Sequence, residues 1–332
     1  MTEQVQQLAK HCLNYREPSS ARANFQLITT LALFIVSCLA MYQSLIHVGY
    51  WLTLLLALPT AGLVLRLFII QHDCGHGSFY NNNSVNDWVG RCLSVFTITP
   101  YAYWRRLHAL HHAGSANLDK RGYGDIDTLT VKEYNELSKF KRLGYRIYRN
   151  PFFLMLVGGP VHFAILQRWP LSFSKPSLQM WGSVMGLNLS MALYYGAIIW
   201  YIGWYPFLLL ALPVTLIACS IGVWLFYIQH QFEDTHWENS QHWDRKTAAL
   251  YGSSYYALPT ILQWFTGNIG IHHVHHLCSS IPNYRLQECV DDEPELKKIN
   301  YLTIRQSLKY ANLSLWDEEL KKLVSFKAVA RA

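Results

Sequence analysis

The chain has 332 residues and a formal net charge of +7, yet only 15% of its residues are charged and 51% are hydrophobic. Soluble domains carry about 25% charged residues, so this composition excludes a disordered chain and a soluble nucleic-acid binder. The mean hydropathy of +0.08 is too low for a chain embedded throughout. A few apolar spans joined to a large polar part satisfy both limits.

Four segments are long and apolar enough to cross about 30 Å of hydrocarbon: 25–45, 49–70, 180–203 and 205–228. They form two hairpins with linkers of a few residues. The first starts too late and runs too long for a signal peptide. Pro59 and Pro213 fall inside spans, where neighbouring helices can satisfy the freed carbonyls. Tyr50, Trp51, Trp200, Tyr201, Trp204 and Tyr205 crowd the linkers, as an aromatic belt would. Two further apolar stretches, 88–103 and 151–166, are too short or too mixed to span and read as interfacial or buried helices. The tail segment 313–324 has helical spacing and reads as a surface helix.

No Lys or Arg lies in either short linker, and none occurs between Lys175 and Arg245. The positive-inside rule therefore puts both termini and both large polar blocks in the cytoplasm. Arg66, near the end of its span, can snorkel to that side. Topology and lipid headgroups account for the basic charge without nucleic acid. The expected organisation is one unit over 1–332, all-α and integral to the membrane, with a helical cytoplasmic cap from 71–179 and 229–332. The seven cysteines include no CxxC pair, so they read as reduced packing residues.

Fifteen histidines are present, and eight take HxxxH or HxxHH spacing within three boxes. His72 and His76 stand in HDCGH; His108, His111 and His112 in HALHH; His272, His275 and His276 in HHVHH. On a helix, positions i, i+3 and i+4 share a face, so each box aims its imidazoles together. One such histidine alone would be a packing residue; eight in three boxes point to metal. His230 falls just past the fourth span and is the ninth candidate, ahead of His236 and His242. Nine imidazoles are too many for one ion and about right for two. A redox metal explains so many neutral ligands, and two irons are the choice among the metals imidazole suits. Soluble di-iron bundles use Glu and ExxH pairs, a pattern missing here. Asp73, off the helical register of its neighbours, reads as an acceptor that orients an imidazole. His273 reads as a supporting or packing residue.

The spans carry no Asp, Glu, Lys or His. Ion pathways usually show intramembrane ionisable groups, which weighs against a transporter. There is no HExxH, which weighs against a zinc protease of that type. The GYGDID stretch at 122–127 is read as turn and cap chemistry.

The ordered boxes HDCGH, HALHH and HHVHH around two membrane hairpins resemble the membrane fatty acid desaturases, and among them the bacterial acyl-lipid desaturases. The resemblance extends through 115–134, 145–152, 221–234, 262–277 and 281–286 and covers roughly 25–330. It implies four membrane helices under a cytoplasmic cap that holds a di-iron site. It carries the ligand role onto His72, His76, His108, His111, His112, His272, His275 and His276, and His230 matches a further ligand position of animal relatives. It implies O2-dependent insertion of a cis double bond into acyl chains of membrane phospholipids, in the inner (cytoplasmic) membrane. Trp104, Trp264 and Phe265, close to the boxes, are candidates for an apolar substrate tunnel. No HPGG haem signature and no GxGxxG occur, so an external ferredoxin- or flavodoxin-like donor is the implied electron source, steered by the basic face. A membrane di-iron hydroxylase or carotenoid ketolase would use a similar set of boxes. A His-rich metal transporter and a purely structural membrane protein are the readings from other classes.

Overall fold

A computed structural model describes residues 3–329; positions 1–2 and 330–332 of the expected unit lie outside the described range. The chain opens with α1 (Glu3–Cys12), which buries Val5, Leu8 and Cys12. Then come two long helices, α2 (Ser20–His47) and α3 (Tyr50–His76). Only Val48 and Gly49 join them. Gly49 has φ +137°, a conformation open to glycine and strained for other residues, and it lets α3 start antiparallel to α2.

The next block holds α4 (Asn83–Thr97), α5 (Tyr101–Gly114), α6 (Val131–Glu136), α7 (Lys139–Tyr148), α8 (Pro151–Phe153) and α9 (Gly159–Ala164). The second hairpin is α10 (Leu178–Ile202) and α11 (Trp204–His230), turned by Gly203 alone. The tail folds as α12 (Arg245–Tyr251), α13 (Thr260–Phe265), α14 (His272–Leu277), α15 (Asn283–Asp291), α16 (Pro294–Lys298), α17 (Ile304–Tyr310) and α18 (Phe326–Val329).

The four long helices coincide with the four expected spans and continue past them. At about 1.5 Å per residue, the 27 residues of α3 reach roughly 40 Å, some 10 Å beyond a hydrocarbon core. The surplus carries His72 and His76, and the end of α11 carries His230 in the same way. α3 is the central helix: 61% of its most apolar stretch is buried, against 17%, 11% and 17% in α2, α10 and α11. The apolar surfaces left open on those three are the surfaces a lipid would cover.

The stretch 88–103 is two helices, broken where Ile98 takes a left-handed conformation ahead of Pro100. In 151–166 a π-helical turn, Leu154–Gly158, joins α8 to α9; Phe152, Leu156 and Ile165 stay exposed, which fits an interfacial segment. Arg66 does not snorkel. It is buried against α2 and α13, donates from Nε to Thr30 Oγ1 at 3.2 Å and to the Trp264 carbonyl, and lies 4.2 Å from the Trp264 ring centre.

The expected surface helix at 313–324 is instead a β-hairpin, β4 (Leu313–Asp317) with β5 (Lys322–Ser325), alongside β1 (Leu129–Thr130). A second pair joins β2 (Tyr255–Ala257) to β3 (Tyr301–Thr303) in parallel. The Asp317 carboxylate accepts from the N–H groups of Glu319 and Leu320 and shapes the turn. Tertiary burial decides the outcome: Leu315, Trp316, Leu323 and Val324 are all buried, and Trp316 faces Trp237 with ring centres 6.1 Å apart. Trp316→Ala should cost about 3–5 kcal/mol. Thermal unfolding of the detergent-solubilised chain would show it as a clear loss of melting temperature; an unchanged melt would contradict this burial.

Candidate metal centre

Three helices and the end of a fourth converge on one point. α3 stops at Gly77, whose left-handed φ of +70° lets it and Ser78 return N–H groups to the last turn of the helix. His72 and His76 occupy that turn. α5 approaches α3 at Gly75, where a Cβ would meet the Trp104 ring at 2.9 Å; only glycine permits the contact. Trp104 stacks on His108, one turn further along, at 4.6 Å and 15°. α14 is seated by the Ser254 carbonyl, which accepts from the N–H groups of His272 and His273 at 3.1 and 3.2 Å. Ser254 in turn donates its own N–H to the Gln229 carbonyl, tying α14 to the end of α11.

All eight box histidines and His230 meet there, but as two groups. His72, His76, His108, His112 and His275 form one; His111, His230, His272 and His276 form the other. Within each group the donor nitrogens lie within 4.8 Å of one another. A helix turns about 100° per residue, so i and i+4 differ by about 40° while i+3 falls about 60° the other way. In α5, His108 and His112 therefore serve the first group and His111 the second. In α14, His272 and His276 serve the second and His275 the first. HxxHH is thus a pair plus a single that straddles two centres, where the sequence suggested one shared direction.

Several Nδ1 atoms have partners of their own. His72 Nδ1–H donates to Asp73 at 3.1 Å, as expected of Asp73. The other Asp73 oxygen accepts from the backbone and side-chain N–H groups of Asn283 at 2.6 and 2.8 Å, at the start of α15. His111 Nδ1–H donates to Asp125, and His230 Nδ1–H to the Gly252 carbonyl at 3.3 Å. Sequence reasoning missed Asp125. It belongs to the GYGDID stretch read as turns, and only the fold-back of that loop onto α5 brings it to His111. His273 stands outside both groups, its Nε2 bonded to the Leu296 carbonyl at 2.8 Å.

The donor set fits metal ions. In the second group, Nε2 contacts run from His111 to His276 (3.3 Å), His276 to His272 (3.1 Å) and His272 to His230 (3.0 Å). The end members commit their protons to Asp125 and Gly252, so their Nε2 atoms present lone pairs. Two protons remain for three contacts, so four neutral imidazoles leave one contact unpaired. Extra protons are no remedy: burial first, then neighbouring imidazoles, push His108, His112, His272, His275 and His276 well below the ordinary histidine value. A cation accepts all the lone pairs at once. Nitrogens held at about 2.0–2.1 Å from one ion stand about 2.9–3.4 Å apart, the spacing seen here.

Of the expected tunnel aromatics, Trp104 touches the site, with rings 5.7 Å from His72 and 5.4 Å from Phe68. Phe265 closes on Gly62 of α3 and Trp264 on Arg66; both pack the α3–α13 contact.

Four helices apolar enough to cross a membrane, with two histidine-only groups at the ends of two of them that could each hold a metal ion, define the class: a membrane protein with a candidate metal centre. The fatty acid desaturase sequence profile matches residues 48–307. A fatty acid desaturase of Bacillus subtilis is 41% identical over 99% of this chain and 94% of its own length. An sn-1 oleoyl-lipid 12-desaturase of Synechocystis is 24% identical over 85% of this chain and 78% of its own. An sn-1 acyl-lipid omega-3 desaturase (ferredoxin) of the same organism is 26% identical over 68% of this chain and 62% of its own. The chain belongs to the fatty acid desaturase family and is an oxidoreductase of that kind; the hydroxylase, ketolase and transporter readings are not favoured.

Proposed function

We propose that the chain introduces a cis double bond into acyl chains of membrane phospholipids, using O2 and two irons held by the nine histidines. The observation that carries this reading is the pairing of two histidine-only groups through α5 and α14, directly where α3 and α11 leave the apolar layer. His72, His76, His108, His112 and His275 would hold one iron; His111, His230, His272 and His276 would hold the other. When bound, the irons with O2 supply the oxidising power for two unactivated C–H bonds.

The protein's task is then mainly placement and exclusion of water. Trp104, Phe68 and Phe163, in edge contact at 5.4 and 6.3 Å, wall the approach to the first group with apolar surface. Asp73 and Asp125 fix imidazole orientation from behind. The whole chain acts as one unit in the inner membrane, with both termini and the site on the cytoplasmic side, as the Lys and Arg distribution supports. Electrons come from an external ferredoxin- or flavodoxin-like carrier drawn by the basic face; one Synechocystis relative names ferredoxin.

The test is the acyl profile of a bacterial host that makes the chain alongside a compatible ferredoxin pathway. Methyl esters treated with dimethyl disulfide and read by gas chromatography–mass spectrometry should show a new monounsaturated or further desaturated species in the phospholipids. Folded, iron-loaded chain with a working donor and no new double bond would overturn the reading.

A further inference from the structure

Behind the second histidine group lies a small cavity of about 20 Å³. His111, His230, Asp125, Gln231, Asn117 and Trp237 are among its lining residues. Asn117 and Trp237 are 1% and 7% exposed, and among the described residues neither Asn117 Nδ2 nor Trp237 Nε1 has a hydrogen-bond partner. The Asn117 Oδ1 is occupied, accepting from the Asp119 N–H at 3.0 Å and from Ser240 Oγ at 3.2 Å. Buried N–H groups without partners are costly, roughly 1–3 kcal/mol each. Both residues line one pocket, where a ligand that accepts hydrogen bonds would give their N–H groups a partner. The volume exceeds the roughly 10–15 Å³ that a single water needs. Arg121, held by Glu133 at 2.7 Å, lines both this cavity and an open groove of about 510 Å³ beside Thr128 and Tyr145.

We propose that this cavity is a built water site, with Asn117 and Trp237 donating to the water and the Asp125 carboxylate accepting from it, and that protons enter and product water leaves past Arg121. The inference rests on the desaturase reading. Converting one CH2–CH2 unit to CH=CH with O2 breaks two C–H bonds and the O–O bond. It takes two electrons from the one-electron donor and two protons from solvent, and gives two waters. The wall at Trp104, Phe68 and Phe163, on the side of the first group, is built of aromatic rings. The cavity touches the second group on a polar side, and Arg121 lines both it and the groove.

The test uses the full iron-loaded chain in lipid nanodiscs. Synchrotron radiolysis makes hydroxyl radicals from bound water and labels the side chains around it. Trp237 should be labelled several-fold faster than Trp316, which stacks on it and does not line the cavity. Trp237→Phe keeps the stacking and removes the donor. It should retain wild-type iron and lower turnover by about tenfold, with O2 consumption exceeding double bonds formed and a larger slowing in D2O. Labelling of Trp237 no faster than Trp316 would overturn the water site. Wild-type coupling and D2O response in Trp237→Phe would overturn its part in turnover. Failure of the wild type to form any double bond would instead count against the desaturase reading, while the labelling would still decide the water site.

Discussion

Replacing His111 or His275 with Ala is expected to abolish double-bond formation, although the two residues serve different groups. His275 stands with the first group and His111 with the second, and each is buried. Removing one imidazole opens a ligand position and leaves the facing Nε2 atoms of its neighbours without a shared partner; His275 sits 3.1 Å from His112, and His111 sits 3.3 Å from His276. Metal analysis should separate the two variants from a folding defect. Each should keep the larger part of the metal in the untouched group while losing it from the altered one, with far-ultraviolet helicity unchanged. By contrast, His273→Ala should leave both groups filled, because His273 bonds the Leu296 carbonyl and belongs to neither. Wild-type desaturation by His111→Ala would remove the second group from the chemistry.

The second large effect is expected at Asp73 and Asp125. Neither carboxylate belongs to the two candidate groups; each accepts a hydrogen bond from the Nδ1–H of a histidine and so turns Nε2 toward its group. Removing such an orienting acceptor typically costs 10–100-fold in metal affinity or activity. Asp73→Ala and Asp125→Ala should both fall in that range, measured as iron retained during dialysis against a chelator and as double bonds formed. Asp73→Ala should be the more damaging. It also strips the backbone N–H of Asn283 of its partner at a fully buried helix start. Asp125→Asn keeps an acceptor oxygen and should recover part of the loss. Equal iron retention in all four proteins would show that the carboxylates serve only the fold.

Much of this architecture is legible in the sequence, and the reasons are physical. Twenty apolar residues in a row have few soluble explanations, so the four spans and their two short turns follow directly. The boxes are legible because helical spacing converts HxxHH into neighbouring side chains. What escapes is whatever depends on the third dimension. The division of the nine histidines needs the relative rotation of α5 and α14. Asp125 lies fourteen residues from His111 in a loop with no periodicity, and nothing but the fold-back joins them. Arg66 reads as a snorkelling residue because the Trp264 carbonyl that accepts its hydrogen bond is about two hundred residues away. In 313–324 the spacing of Leu313, Leu315, Trp316 and Leu320 is compatible with a helix. Pairing with Leu129 and burial against Trp237 select the hairpin, a case of context overriding a short local pattern.

The most direct test of the double site is the metal content of the purified full-length chain, read by mass spectrometry of the elements and by Mössbauer spectroscopy of 57Fe-grown protein. Two irons per chain are expected, in two nitrogen-rich environments that differ because one group offers five imidazoles and the other four. Saturation at a single iron, or a second group that holds only zinc in protein active for desaturation, would contradict this expectation.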